Sequence, residues 1–287
     1  MGAHAEVQLR ARDRGAHQRA LLRAGGGTGA LLMAVVRKYP AQPGAAQAEA
    51  AGLRWLAETG APVAEVVAVT EGMIATARVR EVPPTPEASR KAGQALARMH
   101  VAGAPAHGSP PPGWAGPYYI GTQPQECRPE EDWARFYAEQ RVLPFARRAY
   151  EAGNLDGAGW AEVRRALEVV PRVMRERGWQ TPPARIHGDA WAGNLLFGES
   201  GPVLIDPAAH GGHPVTDLAM LALFGAPYLG EIYAGYEAEA ALAPDWRESL
   251  PLHQLHPLAV HTFTHGAGYA PELRRAARET ITLIGGR

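Results

Sequence analysis

The stretch RIHGDAWAGNLLFGESGPVLIDPA, residues 185–208, constrains this chain more than any other part of its 287 residues. It contains Asp189 within the tripeptide HGD, Asn194 five residues later, and Asp206 seventeen residues after Asp189. Two apolar runs, NLLF and GPVLID, lie on either side of GESG, which predicts a β-hairpin with its turn at 198–201. Such a hairpin would bring Asn194 and Asp206 to the same end. Their amide and carboxylate oxygens are hard ligands of the kind that Mg²⁺ prefers, so we predict both residues as metal ligands.

The order of these residues resembles the C-terminal lobe of protein kinases, in which a catalytic loop H-R-D-L-x-x-x-N precedes a metal loop D-F-G. Here the metal loop reads Asp206-Pro207-Ala208. Among kinase-like phosphotransferases of small molecules, the chain resembles the fructosamine (ketosamine) kinase family, whose loop reads HGDxWxGN. That pattern is met at His187, Gly188, Asp189, Trp191, Gly193 and Asn194. Four blocks resemble the family in the same order, namely residues 113–125, 132–144, 206–225 and 252–269.

The resemblance implies a two-lobed, protein-kinase-like α+β fold. A small β-rich N-lobe would occupy residues 1–81, and a larger, mainly helical C-lobe would occupy residues 82–287. The implied activity depends on ATP and Mg²⁺ and phosphorylates a sugar hydroxyl of a ketosamine, such as a fructosamine or ribulosamine, free or bound to protein. Because the phosphorylated adduct decomposes, the implied role is deglycation.

Two other functions are considered. An aminoglycoside- or choline-type phosphotransferase would use the same machinery on another acceptor. An aminoglycoside pocket would be acidic, however, and the C-terminal part has few acidic clusters before Glu237 and Glu239. A non-catalytic pseudokinase would have lost at least one key residue. It is disfavoured because an aspartate, an asparagine, a second aspartate, a lysine and a glutamate are all present at the required places.

The first third of the chain predicts a small sheet with one helix, from β-branched and apolar runs and from apolar residues at helical spacing. The predicted strands cover residues 6–12, 18–24, 30–40, 65–70 and 73–81, and the predicted helix covers 46–60. This five-stranded order is that of a kinase N-lobe. A second helix is predicted at 84–100, so the hinge falls near residues 80–83. There the backbone of Arg80, Glu81 and Val82 is expected to bind adenine.

Lys38 is one of only two lysines in the chain, the other being Lys91. It follows the apolar run of the predicted third strand, where it suits the role of holding the α- and β-phosphates of ATP. Glu49 lies eleven residues later in the predicted helix and is expected to pair with Lys38 and fix its position. Taken alone, the two residues are better explained as a solvated lysine at a strand end and a solvated glutamate in a helix. The downstream catalytic and metal loops favour the functional pairing.

The sequence GGGTG at residues 25–29 looks like a loop that cradles phosphate, but only eight residues separate Gly29 from Lys38. A nucleotide loop requires a complete second strand, a turn and a third strand before the lysine. We therefore predict GGGTG as the turn between the second and third strands, where glycine supplies positive φ. The nucleotide loop is placed instead at residues 12–17, around Gly15.

Asp189 is the predicted catalytic residue, because phosphoryl transfer needs one carboxylate to orient the acceptor hydroxyl and receive its proton. Trp191 is predicted as one wall of the acceptor pocket, since flat aromatic faces suit the CH faces of sugars. A core tryptophan is the alternative, because large aromatic side chains are usually buried. His210 and His213 are expected to contact the acceptor.

Other polar residues are predicted to support the structure. His187 is expected to hydrogen-bond backbone near the metal loop, and Asp217 to anchor the catalytic loop or cap a helix with Thr216. His261 and His265 have the i, i+4 spacing of zinc ligands. No HExxH glutamate or cysteine cluster accompanies them, so packing is the preferred interpretation.

Bulk properties argue against several other classes of protein. A net charge of zero and a pI near 7.2 disfavour a binder of nucleic acid or of membrane surfaces. The single cysteine, Cys127, excludes an intrachain disulfide and fits a reducing compartment. No apolar run approaches the roughly twenty residues of a membrane span, and the N-terminus lacks a signal-peptide core. These properties predict a cytoplasmic enzyme that is a monomer or a weak dimer.

Overall fold

A computed structural model of the chain describes residues 18–22 and 33–284. Three predictions fall outside these ranges. They concern the first strand at 6–12, the nucleotide loop at 12–17 with Gly15, and the glycine turn at 25–29. The other four predicted strands are present within the described residues.

These four strands form an antiparallel sheet with the order β1-β2-β4-β3. They are β1 (Gln18–Leu22), β2 (Met33–Lys38), β3 (Val66–Val69) and β4 (Ile74–Ala77). In the pairing of β2 with β4, Lys38 lies opposite Ile74, the first residue of β4. Lys38 is therefore the last residue of a strand that has neighbours on both sides, so its backbone position is well defined.

Helix α1 (Ala45–Ala57) packs beside this sheet through small and aliphatic side chains. Ala46, Ala50 and Leu53 repeat at helical spacing and form a buried cluster with Ile74 of β4. Burial of side chains as large as Leu53 and Ile74 stabilises the packing by roughly 1.5–3 kcal/mol each. Glu49 precedes Ala50 and so lies beside the buried face, within reach of the end of β2.

The rest of the chain is mainly helical. Its helices are α2 (Pro86–Val101), α3 (Trp133–Phe136), α4 (Leu143–Glu151), α5 (Gly157–Glu176), α6 (Pro214–Leu223), α7 (Leu229–Glu237), α8 (Leu250–His265) and α9 (Ala270–Thr282). A π-helical turn, Tyr137–Val142, joins α3 to α4, so the segment from Trp133 to Glu151 is helical throughout with one widened turn. Helix α8 is central and contacts α4, α6 and α9. No helix in the described part of the chain has both the length and the apolar character required to cross a membrane.

Three short antiparallel strand pairs hold the loops of the C-terminal part. They are β5 (Tyr119–Ile120) with β6 (Gln123–Pro124), β7 (Ala184–Ile186) with β10 (His210–Gly212), and β8 (Leu195–Gly198) with β9 (Gly201–Leu204). The pair β8–β9 is the hairpin predicted from the apolar runs. Leu204 at its end donates to the Pro62 carbonyl (2.8 Å) and accepts from the Ala64 N–H (2.9 Å), which attaches the hairpin to the segment before β3.

Candidate active site

The HGD loop follows β7 directly and turns at Gly188. The φ angle of Gly188 is 78°, and a Cβ added there would lie 2.2 Å from the carbonyl oxygen of Ala208. Both the backbone conformation and the close approach require glycine. The middle residue of HGD is thus fixed by the contact between the catalytic loop and the metal loop.

A buried aspartate of α6 holds this loop. Asp217 accepts the His187 N–H at Oδ2 (2.7 Å) and the Gly188 N–H at Oδ1 (2.9 Å). Behind it, His100 Nε2 lies 3.0 Å from Oδ2, and His100 Nδ1 lies 3.0 Å from the Tyr236 hydroxyl. Burial acts to raise the pKa of Asp217, but its contacts with His100 and the His187 backbone hold the pKa below its ordinary value. An ionised Asp217 therefore anchors the loop, one of the two roles proposed for it above.

His187 connects the catalytic loop to the metal loop. Its Nδ1 accepts the Asp189 N–H (3.3 Å), which assigns the ring hydrogen to Nε2 and lets Nε2 donate to the Ile205 carbonyl (3.0 Å). Burial lowers the pKa of His187 and so favours the neutral ring that this pattern needs. Ile205 immediately precedes Asp206, so the histidine fixes both loops relative to each other.

The side-chain amide of Asn194 holds the carboxylate of Asp189. Asn194 Nδ2 donates to Asp189 Oδ2 (2.9 Å) and to the Asp189 carbonyl (2.8 Å). Because Nδ2 makes both bonds, Oδ1 is the amide atom left for another ligand. Burial raises the pKa of Asp189 to about 7, the charge of Asp206 adds to this effect, and the Asn194 hydrogen bond opposes it. A carboxylate with this pKa can take up a proton near neutral pH.

Asp206 follows the hairpin and adopts a φ of 55°, in the left-handed region that aspartate tolerates better than most residues. The Ile205 N–H donates to the Asn194 carbonyl (3.0 Å) across the hairpin. The two predicted metal ligands therefore lie at the same end of it, as the sequence pattern required. The Asp206 side chain is 44% exposed, so its carboxylate is accessible.

Lys38 joins the N-terminal sheet to this end of the hairpin. Its Nζ donates to Asp206 Oδ1 (2.6 Å) and to the Glu49 carboxylate, so the predicted pair with Glu49 is formed. Burial alone would lower the pKa of Lys38, but the charges of Asp206 and Glu49 together raise it. Burial also raises the pKa of Glu49, against the influence of Lys38. The result is one cation between two carboxylates, and Asp206 is the more exposed of the two.

Trp191 lies two residues beyond Asp189 and is partly exposed. A Cβ on Gly193 would lie 2.2 Å from the Trp191 ring, so the indole packs directly over this glycine. The contact between the Trp191 ring and Gly193 therefore explains why tryptophan and glycine occur together in the HGDxWxGN pattern. Phe224, just after α6, meets the Trp191 ring edge-on, with ring centroids 6.3 Å apart.

A row of rings continues from Phe224 to the end of α8. The His261 ring lies 4.8 Å from Phe224 and stacks on His265 at 5.0 Å, and Tyr269 contacts both imidazoles. None of these rings is buried. The i, i+4 spacing of the two histidines was visible in the sequence, but their position beside Trp191 was not. Residues 18–22 and 33–284 contain no group of three or more His, Cys, Asp or Glu side chains arranged to hold a metal ion.

The structure does not support the predicted acceptor contacts of His210 and His213. His210 is 3% exposed, donates from Nδ1 to the Ala208 carbonyl (2.7 Å) and packs against Phe136. His213 is also buried and caps α6, its Nδ1 accepting the Val215 N–H (3.2 Å). Strand β10 carries His210 inward, so both imidazoles belong to the core. Sequence spacing gave no sign of this, because the burial arises from the pairing of β10 with β7.

The predicted hinge residues lie beside the β8–β9 hairpin. The Val82 N–H donates to the Phe197 carbonyl (2.8 Å), so it is not available to a ligand. Arg80 and Glu81 are exposed, and the Arg80 side chain lies 3.3 Å from Glu199. The backbone groups of Arg80 and Glu81 therefore remain the candidates for contact with adenine, without the Val82 N–H.

Comparison with known proteins adds an independent observation. A family model described as "Fructosamine kinase" matches residues 39–282. A "Probable ketoamine kinase" of Synechocystis sp. is 34% identical over 198 residues, which are 67% of this chain and 61% of that protein. A "Probable ketoamine kinase" of Thermus thermophilus is 32% identical over 239 residues, 82% of each protein. Several curated relatives, the Synechocystis protein included, are matched over less than two thirds of their own length.

Solved structures agree with the family match. A crystal structure of a "putative fructosamine-3-kinase" from Thermobifida fusca has a TM-score of 0.82 and 41% identity, covering 93% of this chain and 95% of that one. At the level of fold alone, an aminoglycoside phosphotransferase has a TM-score of 0.60 at 14% identity, covering 94% of each chain. These structures confirm the predicted protein-kinase-like α+β fold.

Proposed function

The chain belongs to the fructosamine kinase family, and on this basis we propose that it transfers the terminal phosphate of ATP to a sugar hydroxyl of a ketosamine. One observation carries the proposal. Asp189 is held by Asn194 next to a hairpin end at which Asp206 contacts Lys38. These two contacts involve a candidate proton acceptor, two candidate metal ligands and a candidate phosphate-binding lysine, which are four of the groups that phosphoryl transfer uses.

The donor set at Asp206 fits a nucleotide with its magnesium ion. The Asp206 carboxylate and the Oδ1 atom of Asn194 would hold Mg²⁺, and Lys38, braced by Glu49, would hold phosphate oxygens. When bound, Mg²⁺ neutralises charge that develops on the phosphates. Lys38 can exchange its contact with the exposed Asp206 for a phosphate, because its contact with Glu49 keeps it in place. The backbone of Arg80 and Glu81, together with Gly15, is proposed for the rest of the nucleotide.

Asp189 is proposed to orient the acceptor hydroxyl and to receive its proton. Asn194 fixes the orientation of the carboxylate, and His187 and Asp217 fix the backbone that carries it. The protein forms no covalent bond to substrate in this reaction, so positioning of this kind supplies much of the catalysis. A pKa of about 7 makes Asp189 a better proton acceptor than an ordinary aspartate.

The ketosamine is proposed to bind against Trp191. The indole is rigid, because Gly193 lies beneath it and Phe224 beside it. Its partly exposed face suits the CH face of a sugar. The sugar and amine portions of the acceptor, and whether it is free or protein-bound, are open to experiment, and deglycation is the role that this chemistry implies. The aminoglycoside- or choline-type alternative shares the fold but has no specific observation in its favour.

We also infer that the chain works in the cytoplasm. Its single cysteine and its proposed use of ATP support this location. The prediction that the chain is a monomer or a weak dimer is unchanged.

The test is ATP turnover by the purified chain with Mg²⁺, using fructoselysine, ribuloselysine and kanamycin in parallel, with Asp189→Asn as the inactive control. Turnover on a ketosamine but not on kanamycin is the expected result, and phosphorus NMR of the product would identify the phosphorylated hydroxyl. Turnover on kanamycin alone would assign the chain to the antibiotic kinases. ATP binding without turnover on any acceptor would contradict the proposal.

A further inference from the structure

A row of rings continues from Trp191, the residue proposed as the wall of the sugar pocket. The row consists of Trp191, Phe224, His261, His265 and Tyr269. The proposed function assigns a substrate contact only to the first of these rings. All five are at least partly exposed, and a single ring, Phe224, lies between Trp191 and His261. The row is therefore an accessible surface that begins two residues from the proposed proton acceptor.

The hydrogen bond of His261 within α8 fixes its tautomer. Its Nδ1 lies 2.8 Å from the Pro257 carbonyl oxygen, which can only accept, so Nδ1 carries the ring hydrogen. Burial lowers the pKa of His261, the hydrogen bond to Pro257 opposes this effect, and the charge of His265 adds to it, so the ring is neutral at neutral pH. Nε2 therefore holds a lone pair. Because Nδ1 faces the helix backbone, Nε2 lies on the far side of the ring.

Thr264 fixes the tautomer of His265 in a similar way. Thr264 Oγ1 donates its only hydrogen to the Val260 carbonyl (2.8 Å). The same oxygen lies 2.8 Å from His265 Nδ1, so it must accept there and Nδ1 must donate. Nε2 of the neutral form of this ring therefore also holds a lone pair. The two imidazoles are stacked with centroids 5.0 Å apart, so the exposed end of α8 presents two hydrogen-bond acceptors side by side.

This surface suits a cation that donates hydrogen bonds. Neutral imidazoles accept such bonds, and the faces of the neighbouring indole, phenyl and phenol rings attract cations. An anion would find no donor on the imidazoles, because both Nδ1 hydrogens are already donated within the chain. A bound metal ion is disfavoured, since residues 18–22 and 33–284 contain no group of three or more His, Cys, Asp or Glu side chains that could hold one. The amine of a ketosamine is an alkylamine, which is protonated at neutral pH and has N–H groups to donate.

We propose that His261 and His265 determine specificity for the amine half of the acceptor, with Nε2 of His261 accepting a hydrogen bond from its protonated nitrogen. This inference rests on the proposed function, because that function places the sugar on Trp191. One ring separates Trp191 from His261, so a substituent of a sugar on the indole can reach the imidazole. Phe224 and Tyr269 flank His261 and would contact the carbons attached to the nitrogen. The row would thus select a sugar that carries a cationic amine over the same sugar without one.

The test compares two acceptors, fructosyl-butylamine and the butyl ether of fructose, in which an uncharged oxygen replaces the amine nitrogen. Their Kd values are measured by calorimetry with the full chain, Mg²⁺ and a non-hydrolysable ATP analogue. The unmodified chain should bind the amine about 10-fold more tightly, the effect of one hydrogen bond to a charged group. His261→Phe keeps a ring in the row but removes the lone pair, and should abolish this preference without changing affinity for the ether. Tyr150→Leu, at an exposed tyrosine of α4 outside the row, should preserve it.

Kinetics with the amine separate specificity from catalysis. In His261→Phe, KM for fructosyl-butylamine should rise about 10-fold, while kcat and KM for ATP stay close to those of the unmodified chain. Equal affinity of the unmodified chain for amine and ether would overturn the inference, and this result does not depend on a variant folding. A preference that persists in both His261→Phe and His265→Phe would overturn it too, because the rings would then only pack. In both cases turnover of the amine would leave the proposed function standing, whereas a chain that neither binds nor phosphorylates the amine would contradict that function and this inference together.

Discussion

Lys38 Nζ lies 2.6 Å from Asp206 Oδ1 and also donates to Glu49, so the last residue of β2 joins α1 to the residue after the β8–β9 hairpin. The two contacts differ in burial, since Glu49 is 16% exposed and Asp206 is 44% exposed. The buried contact is suited to permanent bracing, and the exposed one to exchange for a ligand.

Replacing Lys38 should weaken nucleotide binding and slow turnover together. Lys38→Met removes the cation that is proposed to hold the phosphates, and we expect kcat/KM to fall roughly 10²–10³-fold. Calorimetry with an ATP analogue and steady-state kinetics would measure the two effects. Lys91→Met, at an exposed lysine paired with Glu87, is the matched control and should leave both unchanged. Unaltered nucleotide affinity in Lys38→Met would contradict the assigned role.

Replacing Asp189 should affect the reaction without affecting nucleotide binding. Asp189→Asn keeps the size of the side chain but cannot accept the proton, so kcat should fall about 10²–10⁴-fold. Nucleotide affinity, measured by calorimetry, should stay within a factor of two to three. Glu168→Gln, on an exposed part of α5, serves as the control. Near-normal turnover in Asp189→Asn would show that another group receives the proton.

The raised pKa of Asp189 predicts two pH dependences. Turnover at low substrate should rise as pH passes about 7, because the free enzyme then has the ionised carboxylate. Stability should change in the opposite direction. A folded-state pKa above the unfolded value means that the folded chain binds the proton more tightly, so stability falls as pH rises from about 4 to about 7.

Thermal melts of the unmodified chain and of Asp189→Asn between about pH 4 and about pH 7 would isolate the contribution of Asp189 to the pH dependence of stability. The variant should lose less stability with rising pH. Parallel pH curves for the two proteins would show that Asp189 has an ordinary pKa.

The anchor at Asp217 should contribute substantially to stability. Asp217→Ala leaves the buried N–H groups of His187 and Gly188 without acceptors, at an expected cost of about 2–5 kcal/mol in the free energy of unfolding. Tyr236→Phe removes only the hydroxyl that contacts His100 and should cost about 1 kcal/mol. Urea unfolding measures both values. Equal effects of the two substitutions would mean that the loop does not depend on Asp217.

The contact between Trp191 and Gly193 predicts a selective effect on the acceptor. Gly193→Ala should displace the indole and raise KM for the acceptor several-fold, with little change in KM for ATP. Gly230→Ala, where an added Cβ meets nothing within 4 Å, is the control. Adding Trp191→Ala to Gly193→Ala should cause little further loss, because the first substitution already misplaces the ring. Additive losses would show that the two residues act independently.

Local sequence patterns predicted the parts of the site that depend on local structure. The hairpin from Leu195 to Leu204 follows from two apolar runs around a turn, and it alone aligns Asn194 with Asp206. Lys38 and Glu49 were found because a strand and a helix place them within reach of each other. The family resemblance supplied the roles of these residues, which the pattern alone left open.

Features that depend on tertiary packing were not predictable in this way. The row from Phe224 to His265 exists because α6 and α8 bring distant residues together. His210 was expected at the acceptor but lies in the core, because its side-chain direction is set by the pairing of β10 with β7. His100, which contacts Asp217 behind the loop, and Tyr236, which contacts His100, come from two further helices.

The indole of Trp191 lies over Gly193 so closely that no side chain fits at position 193 while the ring is in place. We therefore expect substitutions at the two positions to be coupled in evolution. A lineage that loses the tryptophan no longer needs the glycine, and a lineage that gains a side chain at the glycine must first move the ring. Among relatives that have taken on a different acceptor, we expect these two positions to vary together while Asp189 and Asn194 stay the same.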